Sequence, residues 1–274
     1  MAKVDLSQAV SSNLLTLQRT ADQIANTQTR LSTGLRVNSA IDDASAFFTA
    51  KALGNNAKDF DALKSNIDLA ISTIQSAIDG IDAITELVNQ AKGLASNAKA
   101  TGDTNERSTL AVQFNELLGQ IDTIANDSSF NGTNLLQATP DNLAVEFNTD
   151  NTSNLTITGL DSTTASTGIN IASATNDFAD VTAIDTALTA ISTALSTLRS
   201  NASTLGSRNT ILATRLDFTE NLVNTLEGGE GKLTLADLNA ESANLLALQT
   251  RQQLGINSLA LAAQSERSIL ALFG

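Results

Sequence analysis

Asp42 and Asp43 stand side by side in the polar stretch Leu35–Ala44. Adjacent carboxylates are the groups in this chain best suited to chemistry, because oxygen ligands of this kind hold hard cations. No Asp-rich loop with EF-hand spacing surrounds them. The plainer reading is a helix start, capped by Asn38 or Ser39, with Asp42 and Asp43 in its first turn beside the positive end of the dipole. Composition removes most alternatives. The chain has no cysteine, which excludes disulfides, thiolate metal sites and cysteine nucleophiles. It has no histidine, which excludes Ser-His-Asp catalysis and the commonest metal ligand. Carboxylates and lysines remain, but no motif organises them, so the sequence reads as a non-enzyme with no cofactor or metal. The many Ser and Thr residues of the middle are surface loop by default, or acceptors for O-glycosylation.

What, then, must these residues be carried on? Apolar content is 42%, yet aromatics make up only 3%, all of them Phe, and there is a single proline, Pro140. Long unbroken helices need neither aromatics nor proline. Val10, Leu14, Leu17, Ala21, Ile24, Gln28 and Leu31 recur at alternating spacings of four and three, which is a helical seam facing a partner. Leu245, Gln249, Gln252, Ile256, Leu259 and Ala263 repeat the pattern near the other end. The simplest cover for each stripe is the other. The chain therefore reads as mainly α, a long antiparallel helical rod or coiled coil with paired terminal helices and a small β-hairpin-rich region.

Between the seams, the first helix spans residues 5–33 and stops at Gly34, a C-cap residue. A second helical tract covers 45–99, with Phe60, Leu63, Ile67, Ile71, Ile74, Ile78, Ile81, Val88 and Ala91 in a heptad-like repeat. Thr104 caps a third helix over 105–126. Residues 127–176 change character: Asn131-Gly132 signals a hairpin, and 143–147 and 155–158 alternate like short strands. The three-four rhythm resumes from Val181 to Leu226. Gly228, Gly229 and Gly231 then break it, and a last helix covers about 234–272.

Net charge is −13, placed unevenly. Residues 1–50 and 232–274 each sum to zero, while the middle carries 9 basic against 22 acidic residues. Neutral ends suit burial between copies, and an acidic middle suits solvent. That balance disfavours nucleic acid. No basic cluster followed by an apolar run marks a cleaved signal, and no continuous apolar run is long enough to span a membrane.

Three ordered motifs resemble the bacterial flagellins. Arg30-Leu31-Ser32-Thr33-Gly34-Leu35-Arg36-Val37-Asn38-Ser39-Ala40, followed by Asp42-Asp43-Ala44, resembles the family's N-terminal signature. Phe130-Asn131-Gly132, with Leu135-Leu136 after it, is similar to its hairpin after the third helix. Glu241-Ser242-Ala243, Leu248-Gln249, Gln252-Gln253-Leu254-Gly255 and the terminal run 269–273 are similar to its C-terminus. The resemblance implies a filament subunit for swimming motility. It implies export, unfolded and uncleaved, through the flagellar type III apparatus to an extracellular filament. The implied partners are other copies of the chain, the export apparatus and its chaperone, and the filament cap and hook-junction proteins.

On that resemblance, residues 1–44 and 232–274 form the two halves of an inner filament-core domain, and 45–231 a rod domain lacking the large outer domains of longer relatives. Val10, Leu14, Leu17, Ile24, Leu31, Leu245, Ile256 and Leu259 are then subunit-interface residues, with Arg36, Asp42 and Asp43 in the connecting turn. The region contacted by the innate immune receptor for flagellin maps to Gln90, Gly93 and Leu94. Gln90 and Gly93 replace the usual Arg and Glu there, and Leu94 is kept. A hook–filament junction protein, which shares such ends, and a non-flagellar secreted coiled-coil protein are the alternatives.

Overall fold

The computed structural model describes residues 8–273. It is built of five helices: α1 (Gln8–Thr33), α2 (Ala44–Ala100), α3 (Thr104–Asp127), α4 (Val181–Thr234) and α5 (Leu238–Phe273). Two small antiparallel pairs lie between α3 and α4: β1 (Ser129–Phe130) with β2 (Thr133–Asn134), and β3 (Leu143–Glu146) with β4 (Asn154–Ile157). The chain forms two compact units. One holds the chain up to Asn56 together with that from Thr225 on, the other Ala57–Asn224. The expected start of the first helix at residue 5 lies outside the described residues.

In the Ala57–Asn224 unit, α2 buries Leu63, Ile67, Ala70, Ile74, Ala77, Ile81, Ile84, Val88 and Ala91 at the three-four spacing of an apolar seam. Ile71 and Ile78, expected in that seam, sit beside it half-buried, and the smaller Ala70 and Ala77 take the buried positions. α3 adds Ala111, Phe114, Leu118, Ile121 and Ala125, and α4 adds Ile184, Ile191, Leu195, Leu198, Leu205 and Leu212. One window of α4 reaches a mean hydropathy of 1.3, enough by length and composition for a membrane span. Its apolar residues line a shared core, which accounts for that hydropathy.

The hairpin at Asn131-Gly132 forms as read, with φ of 49° and 80° at the two turn residues. Both lie in the left-handed region that a two-residue type I′ turn requires. The hairpin is pinned by Asn134, whose carboxamide donates to Ala125 O and Asn126 O and accepts from Leu136 N and Gln137 N. Gly80 of α2 is buried beneath it: a Cβ there would meet Ser128 Oγ and lie 2.9 Å from Leu136 Cδ1.

Two expectations need correction, and one turn was not foreseen. Asp103, not Thr104, caps α3, accepting from Asn105 N at 2.8 Å. Its carboxylate reaches a first-turn amide and sets a negative charge at the positive end of the helix dipole. The glycines at 228, 229 and 231 do not break a helix: α4 runs through them to Thr234. Here α4 lies against the start of α2 within the first unit, and a Cβ on Gly229 would be 3.3 Å from Leu53 Cδ1. A Cβ on Gly54 would be 2.6 Å from the Glu230 carboxylate. Packing of Leu53 over Gly229 and of Glu230 over Gly54 works against the roughly 1 kcal/mol each glycine costs a helix. Finally, Asn176, Asp177 and Phe178 form a left-handed turn, with φ of 50°, 51° and 56°, that no sequence signal announced. Phe178 is fully buried and meets Phe114 edge-on at 5.2 Å.

Threonine is frequent on the helices, and most of those on α4 behave alike. On α4 the hydroxyls of Thr186, Thr189, Thr193, Thr197, Thr204, Thr210 and Thr214 each donate to the carbonyl four residues back.

Candidate assembly surface and connecting turn

α1 and α5 pack against each other in antiparallel sense. Arg30 Nη1 lies 3.2 Å from Glu241 Oε1, Leu17 faces Gly255, and Leu35 bridges Leu235. The seam runs through Val10, Thr20 and Thr27, which are buried, and through Leu17, Ile24 and Leu31, which are half-buried. On α5 it uses Leu248, which is buried, with Leu245, Gln252, Gly255 and Leu259 half-buried.

Alternate positions therefore shift by one residue from the stripe read in sequence. Thr20 and Thr27 replace Ala21 and Gln28, and Leu248 and Gly255 replace Gln249 and Ile256. The physical reason is closeness. A Cβ on Gly255 would be 2.8 Å from Leu17 Cδ2, so small residues must occupy the crossing. The buried Thr20 hydroxyl is satisfied by Thr16 O at 2.9 Å, which makes a threonine acceptable there.

The shift leaves apolar side chains uncovered beside the pair. Leu14 is 41% exposed, Ile256 48%, Leu246 67% and Leu261 69%, with Leu15 and Leu254 also exposed. Bulky apolar residues along one pair of helices are what an interaction surface offers. The Arg30–Glu241 ion pair, invisible in sequence because 211 residues separate its members, ties the two helices together near the turn.

The turn Gly34–Asp43 is held by its own hydrogen bonds. Gly34 has φ of 71° and donates to Arg30 O, ending α1 as a left-handed C-cap. Arg36 N and Val37 N donate to Thr234 O, and Arg36 Nη2 donates to Leu233 O at 2.9 Å. Asp42 Oδ2 accepts from Asn38 N, Ser39 N and Ser39 Oγ at 2.9–3.1 Å. Those donors hold the Asp42 carboxyl below the usual carboxylate range, the Ser39 backbone N–H first, then the Ser39 hydroxyl, then the Asn38 N–H, with Arg30 adding a favourable charge. Asp43 Oδ1 accepts from Ala46 N at 3.0 Å and so caps α2. The aspartates, not Asn38 or Ser39, supply the accepting oxygens, because only they stand within reach of the free amides. All three charged residues of the turn remain exposed. Ile41, at the same turn, is almost wholly exposed.

Gln90, Gly93 and Leu94 lie on α2 in the other unit. With Gln113, Glu116 and Gln120 of α3 they line a groove of about 650 Å³. Gln90 and Gly93 are exposed and Leu94 is half-buried.

Similarity to known proteins follows the same layout. Residues 5–141 match the profile described as the bacterial flagellin N-terminal helical region, and residues 181–273 match the bacterial flagellin C-terminal helical region. Flagellin FljO of Caulobacter vibrioides is 34% identical, over 95% of this chain and 94% of its own. A flagellin of Brucella melitensis is 31% identical, over 100% of this chain and 99% of its own. A crystal structure of Bacillus cereus flagellin aligns with a TM-score of 0.49 and 19% identity, over 56% of this chain and 88% of the other.

Proposed function

The chain belongs to the bacterial flagellin family, so it is a structural filament subunit that polymerises with its own copies and not an enzyme; from this premise we propose that the α1–α5 pair is its inner-core assembly surface. The carrying observation is the uncovered apolar stripe beside a pair that is already closed on itself. Val10, Leu17, Ile24, Leu31, Leu245 and Leu259 draw the two helices together. Leu14 and Ile256, with their exposed neighbours, then meet adjacent subunits. Closing the seam within one chain fixes the direction in which the outer stripe points, so each copy presents the same surface.

Arg36, Asp42 and Asp43 serve this assembly from the turn. Their hydrogen bonds hold its shape, and their exposed edges meet neighbouring subunits, where a weak contact repeated at every copy biases the lattice. The subunit leaves the cell unfolded through the flagellar type III apparatus with an export chaperone. It adds to an extracellular filament beneath a cap, and joins the hook through junction proteins. At Gln90 and Gly93 the chain offers an amide and a bare backbone where the receptor-contact region of many relatives carries an Arg and a Glu, so the innate immune receptor does not meet that charge pair here.

Purified chain brought to high salt and viewed by electron microscopy tests the reading. Long filaments of uniform diameter are expected. Soluble monomers or short irregular aggregates under conditions that polymerise the Caulobacter vibrioides relative would overturn it.

A further inference from the structure

The Asn131-Gly132 turn has a chemistry that filament assembly does not use. Asparagine followed by glycine is the pair most prone to intramolecular ring closure, because glycine has no Cβ to shield its backbone nitrogen. This is the one Asn-Gly step in the sequence. Both residues are exposed, and nothing lies within 4 Å of where a Gly132 Cβ would stand. The Asn131 carboxamide makes no hydrogen bond among the described residues. That of Asn134, three residues on, uses both its donors and its oxygen. Only two residue pairs, Ser129–Asn134 and Phe130–Thr133, close the hairpin. Opening the two turn residues breaks at most these pairs, and leaves the anchor at the Asn134 carboxamide in place.

We propose that Asn131 is a site of spontaneous covalent modification with water as the only co-reactant. The Gly132 backbone nitrogen gives up its proton and bonds to Asn131 Cγ. The Cγ–Nδ2 bond breaks, and ammonia leaves with that proton. Water then opens the five-membered imide at one of its two carbonyls. Opening at Cγ leaves an aspartate in the ordinary backbone. Opening at the main-chain carbonyl leaves an isoaspartate, whose chain runs through the former side chain.

Asn131 also lines a recess of about 220 Å³ together with Thr73 and Glu146. Either product places a second carboxylate in that recess beside Glu146. The isoaspartate also lengthens a two-residue turn that depends on two left-handed residues. The change is one-way, so its extent in the Ala57–Asn224 unit records the age of a subunit.

The test is peptide mapping of full-length chain held at neutral and at mildly alkaline pH, with isoaspartate read by methyltransferase labelling. A gain of one mass unit is expected at the peptide holding Asn131, ahead of those holding Asn38 or Asn257, each followed by serine. Conversion is faster at the higher pH, where the nitrogen loses its proton more readily, and Asn131→Gln abolishes it. An unchanged Asn131 in the folded chain, while a free peptide of residues 129–134 converts in the same buffer, would overturn the proposal. Equal conversion at Asn38, Asn131 and Asn257 would also overturn it.

Discussion

Replacing Ile256 with aspartate is expected to block polymerisation while leaving the single chain folded. Ile256 lies on the flank of α5, with 48% of its surface open. Burying an isoleucine completely gives about 1.5–3 kcal/mol, so roughly 1 kcal/mol remains to be gained when a neighbour covers it. Aspartate forfeits that gain and brings an anion into an apolar contact, at a further cost of about 2 kcal/mol or more if no partner meets it. A loss of about 3 kcal/mol per contact is roughly a hundredfold in association constant. The assay is the critical concentration for salt-induced assembly, measured by sedimentation, beside far-UV circular dichroism of the monomer. The critical concentration should rise about a hundredfold with little change in helix content. Leu17→Asp is the control, because Leu17 faces Gly255 within the chain and its loss should disturb the α1–α5 pair itself. Assembly of Ile256→Asp at the wild-type critical concentration would remove the α5 flank from the interface.

Three further perturbations test other parts of the structure. The Asp42 carboxyl is held low, so its contribution to the turn is fully present above the ordinary carboxylate pKa and is lost as pH falls through the lowered folded value. A side-chain NMR titration should place its midpoint below the ordinary aspartate value, and Ser39→Ala should move it back upward. Gly80→Ala drives a methyl into Ser128 and Leu136, and should cost about 1–3 kcal/mol, read as a Tm lowered by about 2–4 °C for each kcal/mol. Replacing Thr149–Ser153, the exposed loop between β3 and β4, with a short epitope tag should leave assembly intact and label the filament along its length. A tag that binds no antibody on intact filaments would show the loop to be covered.

Much of this architecture was legible because local signals and the global pattern agree. Gly34, the Asn131-Gly132 pair and the three-four repeats of α2 and α4 act through backbone geometry and apolar spacing, both carried in a few adjacent residues. Where sequence reading failed, the deciding partner lay far along the chain. The stretch 228–231 looks like a break until Leu53 is placed against Gly229 and Gly54 against Glu230. The terminal seam was read from the largest side chains, which put Leu14 and Ile256 in it. Close approach of α1 and α5 instead selects Thr20, Thr27 and Gly255. The Arg30–Glu241 pair and the left-handed turn at Asn176–Phe178 likewise depend on tertiary contacts, the latter on a phenylalanine buried against Phe114. At the connecting turn, acidic residues near a helix start were anticipated. The division of labour, with Asp42 serving the turn and Asp43 the helix, depends on which amides each carboxylate reaches.

The threonines of α4 have a consequence for solvation. Their hydroxyl hydrogens are already engaged by carbonyls of the same helix. What each side chain has left to offer its surroundings is a methyl group and oxygen lone pairs. Dehydrating a hydroxyl normally strands a donor, at about 1–3 kcal/mol, but these donors are met before any neighbour arrives. A helix face that counts as polar by composition thus loses less on shedding its water than its hydroxyls suggest, because only the acceptor side of each is left unmet. The chain's mean hydropathy of zero, which scores each threonine by type alone, therefore overstates how polar this face of α4 is.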